Sequence, residues 1–119
     1  MILVTCEHAV NRVPARYAPL FAASGRILQT HRAYDRGALE LARVLSQQFN
    51  ATLVAGTVTR LLVDLNRSLH NGAVLSRFTR GLDADARRNL IDGYYRPYRE
   101  RVESLVAAAA GSGPPVWHV

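Results

Sequence analysis

The chain has 119 residues, a formal net charge of +6 and one cysteine, and all fifteen of its Lys+Arg positions are arginine. Without lysine it can form neither a Schiff base, nor a Walker-A phosphate loop, nor a Ser-Lys dyad, so catalysis would fall to His, carboxylate, Arg, Tyr, the cysteine or a metal. A composition of 49% hydrophobic and 20% charged residues is that of one folded domain, and a lone cysteine makes no intrachain disulfide.

Met1 to Val4 is apolar but too short for a signal peptide or a membrane span, so the chain reads as soluble and cytoplasmic. Ile2 to Thr5 suits a buried parallel strand ending near Cys6, followed by a loop with polar residues. Asn11 to Gly25, with Pro14, Pro19 and Gly25, reads as loop with at most a short helix around Tyr17 to Ala23. From Gly37 to Gln48 the apolar positions Ala38, Leu41, Ala42, Val44 and Leu45 recur at helical spacing, with Asp35 just ahead where an acid can cap. Thr52 to Val58 reads as a second strand. Strand, helix and strand at this spacing predict a βαβ unit with parallel strands and a right-handed crossover.

Leu61 to Leu65 is either an edge strand or the packed start of a loop, and Asn66 to Leu82 reads as irregular. Asp83 begins a long helix to about Ala109, which Pro97 should kink or split. After the turn Gly111 to Pro115, Val116 to Val119 has the composition of a strand. It stops on its fourth residue, so the chain is read as one domain cut within a strand that would enter the middle of a sheet. The fold class is α/β, a mostly parallel sheet flanked by helices and incomplete in this chain.

Three groups of residues fall at the C-terminal edge of this sheet, where ligands bind in open parallel α/β folds. Cys6-Glu7-His8 follows the first strand. His8 could ligate zinc, with Glu7 as general base or as a partner behind the ligand, or it could be an ordinary hydrogen-bonded histidine. His31 to Ala38 enters the first helix, and Asp35 is either a metal-binding carboxylate or an N-cap. Arg60 to Ser68 follows the second strand. Its arginines suit bidentate carboxylate recognition, or Arg60, Asp64 and Arg67 could form a structural ion-pair network in which Asp64 holds an arginine in place. The arginines run from Arg12 to Arg101 with no basic run longer than Arg87-Arg88, so nucleic acid is not the expected partner.

Val4 to Pro14, His31 to Ala38 and Arg60 to Ser68, taken in this order, resemble the N-formylglutamate amidohydrolase family over essentially the whole chain. Val10 stands where glycine is common in that family. The resemblance implies a fold like that of zinc exopeptidases and peptidoglycan amidases, the phosphorylase/hydrolase-like class. It also implies a hydrolase of histidine degradation that uses Zn2+ or another divalent metal to cleave N-formyl-L-glutamate or a similar small anionic N-acyl amino acid. By the same resemblance His8 and Asp35 are metal ligands, Asn66 and Arg67 hold a substrate carboxylate, and Glu7 and Arg60 are neighbours of that site. Glu7 is the catalytic carboxylate candidate. The family's third zinc ligand is expected after the Trp117-His118-Val119 strand, so residues 1–119 read as the N-terminal part of a larger hydrolase domain, inactive alone. The alternatives are a zinc amidase acting on another N-acyl compound, or a non-catalytic basic module that binds nucleic acid.

Overall fold

The computed structural model describes all of residues 1–119. Its centre is β1 (Ile2–Cys6), whose apolar and β-branched residues are covered on both faces, as in a buried parallel strand. Side chains alternate across it. Leu3 joins a cluster of 13 buried residues on one face, while Val4 and Cys6 join a cluster of four on the other.

The helix α1 (Ala38–Gln48) covers the smaller cluster through Ala42, with Ala38, Leu39 and Leu45 packed against it. Asp35 does not cap it. The residue before the helix is Gly37 at φ 81°, a left-handed conformation that favours glycine, and no side chain caps this end. The carboxylate of Asp35 is left to point elsewhere.

The second strand, β2 (Thr52–Ala55), pairs parallel with β1 from Leu3↔Thr52 to Cys6↔Ala55, as the βαβ reading requires. It stops three residues before Val58 because the chain must pass the end of β1. The Gly56 N–H donates to the Cys6 carbonyl at 2.8 Å, and a Cβ on Gly56 would stand 2.3 Å from the Glu7 carbonyl oxygen. Only glycine fits that approach.

Leu61 to Leu65 is a packed loop and not an edge strand. Leu62, Val63 and Leu65 are buried in or beside the large cluster, and the segment is tied by the Thr79 hydroxyl, which donates to the Leu62 carbonyl at 2.9 Å, and by Ser76 Oγ on the Leu61 carbonyl. In the Asn11–Gly25 region the short helix is a 3-10 segment, Ala15–Phe21, whose Tyr17 and Phe21 enter the same core. A further 3-10 segment spans Gly25–Gln29.

Asp83 does cap a helix, accepting from the Ala86 N–H at 2.8 Å. That helix, α2 (Ala84–Leu90), does not break at Pro97. It passes through a π turn, Ile91–Tyr95, in which the Arg96 N–H reaches back to the Ile91 carbonyl, and continues as α3 (Arg96–Gly111). The proline stands at the start of α3, directly after the π turn. The last strand, β3 (Trp117–His118), pairs parallel with β1, giving the order β2-β1-β3. No helix is long and apolar enough to cross a membrane.

Candidate functional site

The three loops at the C-terminal edge of the sheet are laced together by their backbones. The Asp35 N–H donates to the His8 carbonyl at 2.9 Å, the Arg60 N–H to the Ala33 carbonyl at 3.2 Å and the Thr59 N–H to the Arg12 carbonyl at 2.8 Å. Thr59, fully buried, adds its hydroxyl to the Ala33 carbonyl at 2.8 Å. Side chains on these loops are therefore presented from a fixed frame.

His8 lies between two carboxylates. Its Nε2 is 2.6 Å from Asp64 Oδ1 and its Nδ1 is 3.3 Å from Asp35 Oδ2. Asp64 is the hub of the cluster. Its Oδ1 also accepts the Asn66 N–H at 3.0 Å, and its Oδ2 accepts from Arg60 and from Arg67 at 3.1 Å each. Arg60 also reaches towards Asp35 at 3.9 Å. The ion-pair network that the Arg60-Asp64-Arg67 spacing allows is present, and it engages the histidine as well.

Burial alone would raise the Asp64 carboxyl, but hydrogen bonds from His8 and the Asn66 N–H, with the His8 and Arg60 charges, hold it down at about 2. The Asp64 hydrogen bond pushes the His8 imidazole up, against the opposing effects of burial and of Arg60. Cys6, buried beneath the loop and near the Glu7 carboxylate, has a thiol pushed up and carries no reactive thiolate.

The Asp35 carboxylate is half exposed, whereas the Asp64 side chain is 4% exposed and fully committed. Two donors on one tetrahedral zinc, each about 2.0–2.2 Å from it, lie about 3.4 Å apart. The His8 Nδ1 to Asp35 Oδ2 spacing matches that edge, and Asp64 on the other ring nitrogen stands where a metal-bound histidine is held by a carboxylate behind it. The donor set fits a divalent cation but supplies two protein ligands, since Asp64 faces the other ring nitrogen, and no three His, Cys, Asp or Glu side chains are placed to hold one metal ion together.

The six residues singled out in the sequence divide into two sets. His8, Asp35, Arg60 and Arg67 belong to the Asp64 cluster, and Arg60 and Arg67 line a cleft of about 450 Å³ beside it. Glu7 and Asn66 instead line a separate hollow of about 240 Å³ with Tyr98, Arg99 and His118. There the Tyr98 hydroxyl donates to Glu7 Oε1 at 2.8 Å, and burial, together with that carboxylate, pushes the tyrosine far up. His118 meets Thr5 Oγ1 at 3.1 Å, on the β1 face shared with Leu3.

Tyr95 and Tyr98 stand outside the motifs that mark the site in the sequence. The Tyr95 hydroxyl donates to the Arg67 carbonyl at 2.6 Å, so α3 and the π turn before it reach both halves of the site. Their only sequence signal is aromatic residues at core spacing, which does not separate a hydroxyl in use from ring packing.

The family model for N-formylglutamate amidohydrolase matches residues 1–119, the whole chain. Among solved structures, the crystal structure of the gene product Atu2144 from Agrobacterium tumefaciens is similar, with 32% sequence identity and a TM-score of 0.90 over 98% of this chain. The chain spans 49% of the length of that protein. No curated protein matches it.

Proposed function

The chain belongs to the N-formylglutamate amidohydrolase family, and on that premise we propose that it carries part of the active site of a cytoplasmic, metal-dependent hydrolase of N-formyl-L-glutamate or a similar small N-acyl amino acid. The observation that carries this reading is the His8–Asp35 pair, 3.3 Å apart, next to a cleft that presents Arg60 and Arg67.

His8 and Asp35 would hold Zn2+ or another divalent cation, which when bound supplies a Lewis acid for the amide carbonyl and a water acidified towards about pH 7. Arg60 and Arg67 bind the substrate carboxylate. Asp64 holds both guanidinium groups with one oxygen and the imidazole with the other, so the binding groups keep a fixed relation to the metal pair. Glu7 is the proton-accepting carboxylate of the proposal, with Tyr98 engaging its Oε1. Asn66, which lines the Glu7 hollow, contacts the substrate from that side. A tightly held catalytic zinc needs a third protein ligand, so residues 1–119 by themselves retain metal weakly and turn over poorly or not at all.

The test is glutamate release from N-formyl-L-glutamate by the complete enzyme containing these residues. Arg67→Ala should raise KM about thirtyfold with bound metal unchanged, the loss expected for a charge-assisted hydrogen bond. His8→Ala should remove metal and activity together. Unchanged kinetics in Arg67→Ala would overturn the substrate assignment, and unchanged metal content in His8→Ala would overturn the ligand assignment.

A further inference from the structure

The loop that carries Asn66 and Arg67 is held from two elements. Within the loop Asp64 grips it, Oδ1 accepting the Asn66 N–H at 3.0 Å and Oδ2 accepting from Arg67 Nε at 3.1 Å. The long helix grips its backbone. The Tyr95 hydroxyl donates to the Arg67 carbonyl at 2.6 Å, and Arg99 Nη1 donates to the Leu65 carbonyl at 3.4 Å. The Arg99 guanidinium also lies 5.6 Å over the Tyr95 ring, so the two side chains brace each other as well as the loop.

Tyr95 reaches this position because of the π turn. Leu90, at the end of α2, is fully buried, and Tyr95 is 5% exposed in the same apolar cluster. In a regular α-helix two residues five apart point about 140° away from each other, and one of them would leave the core. The π turn Ile91–Tyr95 takes up one extra residue, so Tyr95 falls about where the fourth residue after Leu90 would. Its ring stays inside and its hydroxyl meets the loop. An arrangement that a helix does not adopt by default is thus spent on aiming one hydroxyl at one carbonyl.

That carbonyl belongs to a residue of the cleft. Arg67 lines the cleft, whereas Tyr95 does not. Within the chain the Arg67 side chain is engaged through Nε, on Asp64. One anchor near the tip of a long side chain leaves it free to pivot, and a second anchor on the residue's own carbonyl fixes the other end. We infer that Tyr95 is a positioning residue for substrate binding: it stays out of contact with the substrate and sets affinity by fixing the backbone from which Arg67 extends. This rests on the reading of Arg67 as a group that binds the substrate carboxylate, and the experiment separates the two.

Steady-state kinetics with N-formyl-L-glutamate are measured on the complete enzyme containing these residues, as parent, Tyr95→Phe, Arg67→Ala, the double variant and Tyr94→Phe. Tyr95→Phe keeps the ring and loses the hydroxyl, so KM should rise about fivefold, as for one hydrogen bond, with kcat and bound metal unchanged. Arg67→Ala keeps the carbonyl and loses the guanidinium. In that background Tyr95→Phe should raise KM no further, because the group through which it acts is gone. Tyr94→Phe makes the same chemical change one residue away, on a ring that packs edge-on against Tyr17, and should leave KM at the parent value. An unchanged KM or a lowered kcat in Tyr95→Phe overturns the inference. A KM rise that recurs in full in the Arg67→Ala background, or an equal rise in Tyr94→Phe, overturns it too, since either reports general loosening of the fold. If Arg67→Ala itself leaves KM unchanged, the carboxylate reading has failed instead.

Discussion

The two halves of the candidate site are built in opposite ways. On the cleft side Asp64 is nearly inaccessible and accepts from His8, Arg60, Arg67 and a backbone N–H. On the hollow side Glu7 is only partly buried, and one tyrosine hydroxyl holds it. Two pairs of sequence neighbours are divided between them, with His8 and Arg67 on the cleft side and Glu7 and Asn66 on the other. Both pairs lie in turns beyond the strands, where successive side chains leave in different directions. A run such as Glu7-His8 thus serves two compartments of a site rather than one. The cleft side is a charge lattice centred on Asp64, whereas on the hollow side only Oε1 of Glu7 is hydrogen-bonded.

The comparison breaks most directly at Asp64. Asp64→Asn keeps the shape but leaves two arginines and an imidazole without their shared charge in a buried place, and should cost about 3 kcal/mol. Glu7→Gln can still accept from Tyr98 and should cost less than about 1 kcal/mol. Urea unfolding of the two variants checks the contrast, and equal losses would show that the halves are not built differently. The next effect is at the seam. Gly56→Ala would push a methyl to 2.3 Å from the Glu7 carbonyl oxygen, which cannot move without shifting its loop, and to 3.0 Å from Leu65 Cδ1. A loss of about 2 kcal/mol is expected, as for an overpacked site. Histidine and arginine resonances on the cleft side should move together with those around Glu7, because the Glu7 peptide leads directly into His8.

Elements set by local pattern are legible in the sequence. The apolar run of β1, the helical period of α1 and the cap at Asp83 are all present close to their expected positions. Features decided by contacts between distant residues are not. The end of β2 depends on a carbonyl fifty residues earlier in the chain, and Leu61 to Leu65 is apolar because it is buried under the Thr79 and Ser76 anchors, not because it pairs in a sheet. Asp35 has the position of a cap, but the left-handed Gly37 starts the helix without it, and its carboxylate meets His8. At the site, the spacing of Arg60, Asp64 and Arg67 forecasts their mutual contact. Nothing local forecasts that Asp64 also takes the imidazole, or that Tyr95 and Tyr98 deliver hydroxyls to Arg67 and Glu7.

A smaller effect than that at Gly56 is the most specific to the hollow side. Tyr98→Phe removes one hydroxyl from a ring that is 8% exposed and should cost about 1 kcal/mol at neutral pH, a typical buried hydrogen bond. Burial and the Glu7 carboxylate push the Tyr98 hydroxyl above its ordinary value of 10.0, so the folded chain keeps this proton after the unfolded chain has begun to lose it. The contribution is therefore complete below pH 10 and declines above it, by up to about 1.4 kcal/mol per pH unit, as the unfolded state ionises first. The remaining tyrosines titrate in both proteins and cancel. Unfolding free energies of parent and Tyr98→Phe, about 1 kcal/mol apart at pH 7, should converge between pH 10 and 11. A gap that stays constant through pH 11 would mean that Tyr98 does not hold its proton against Glu7.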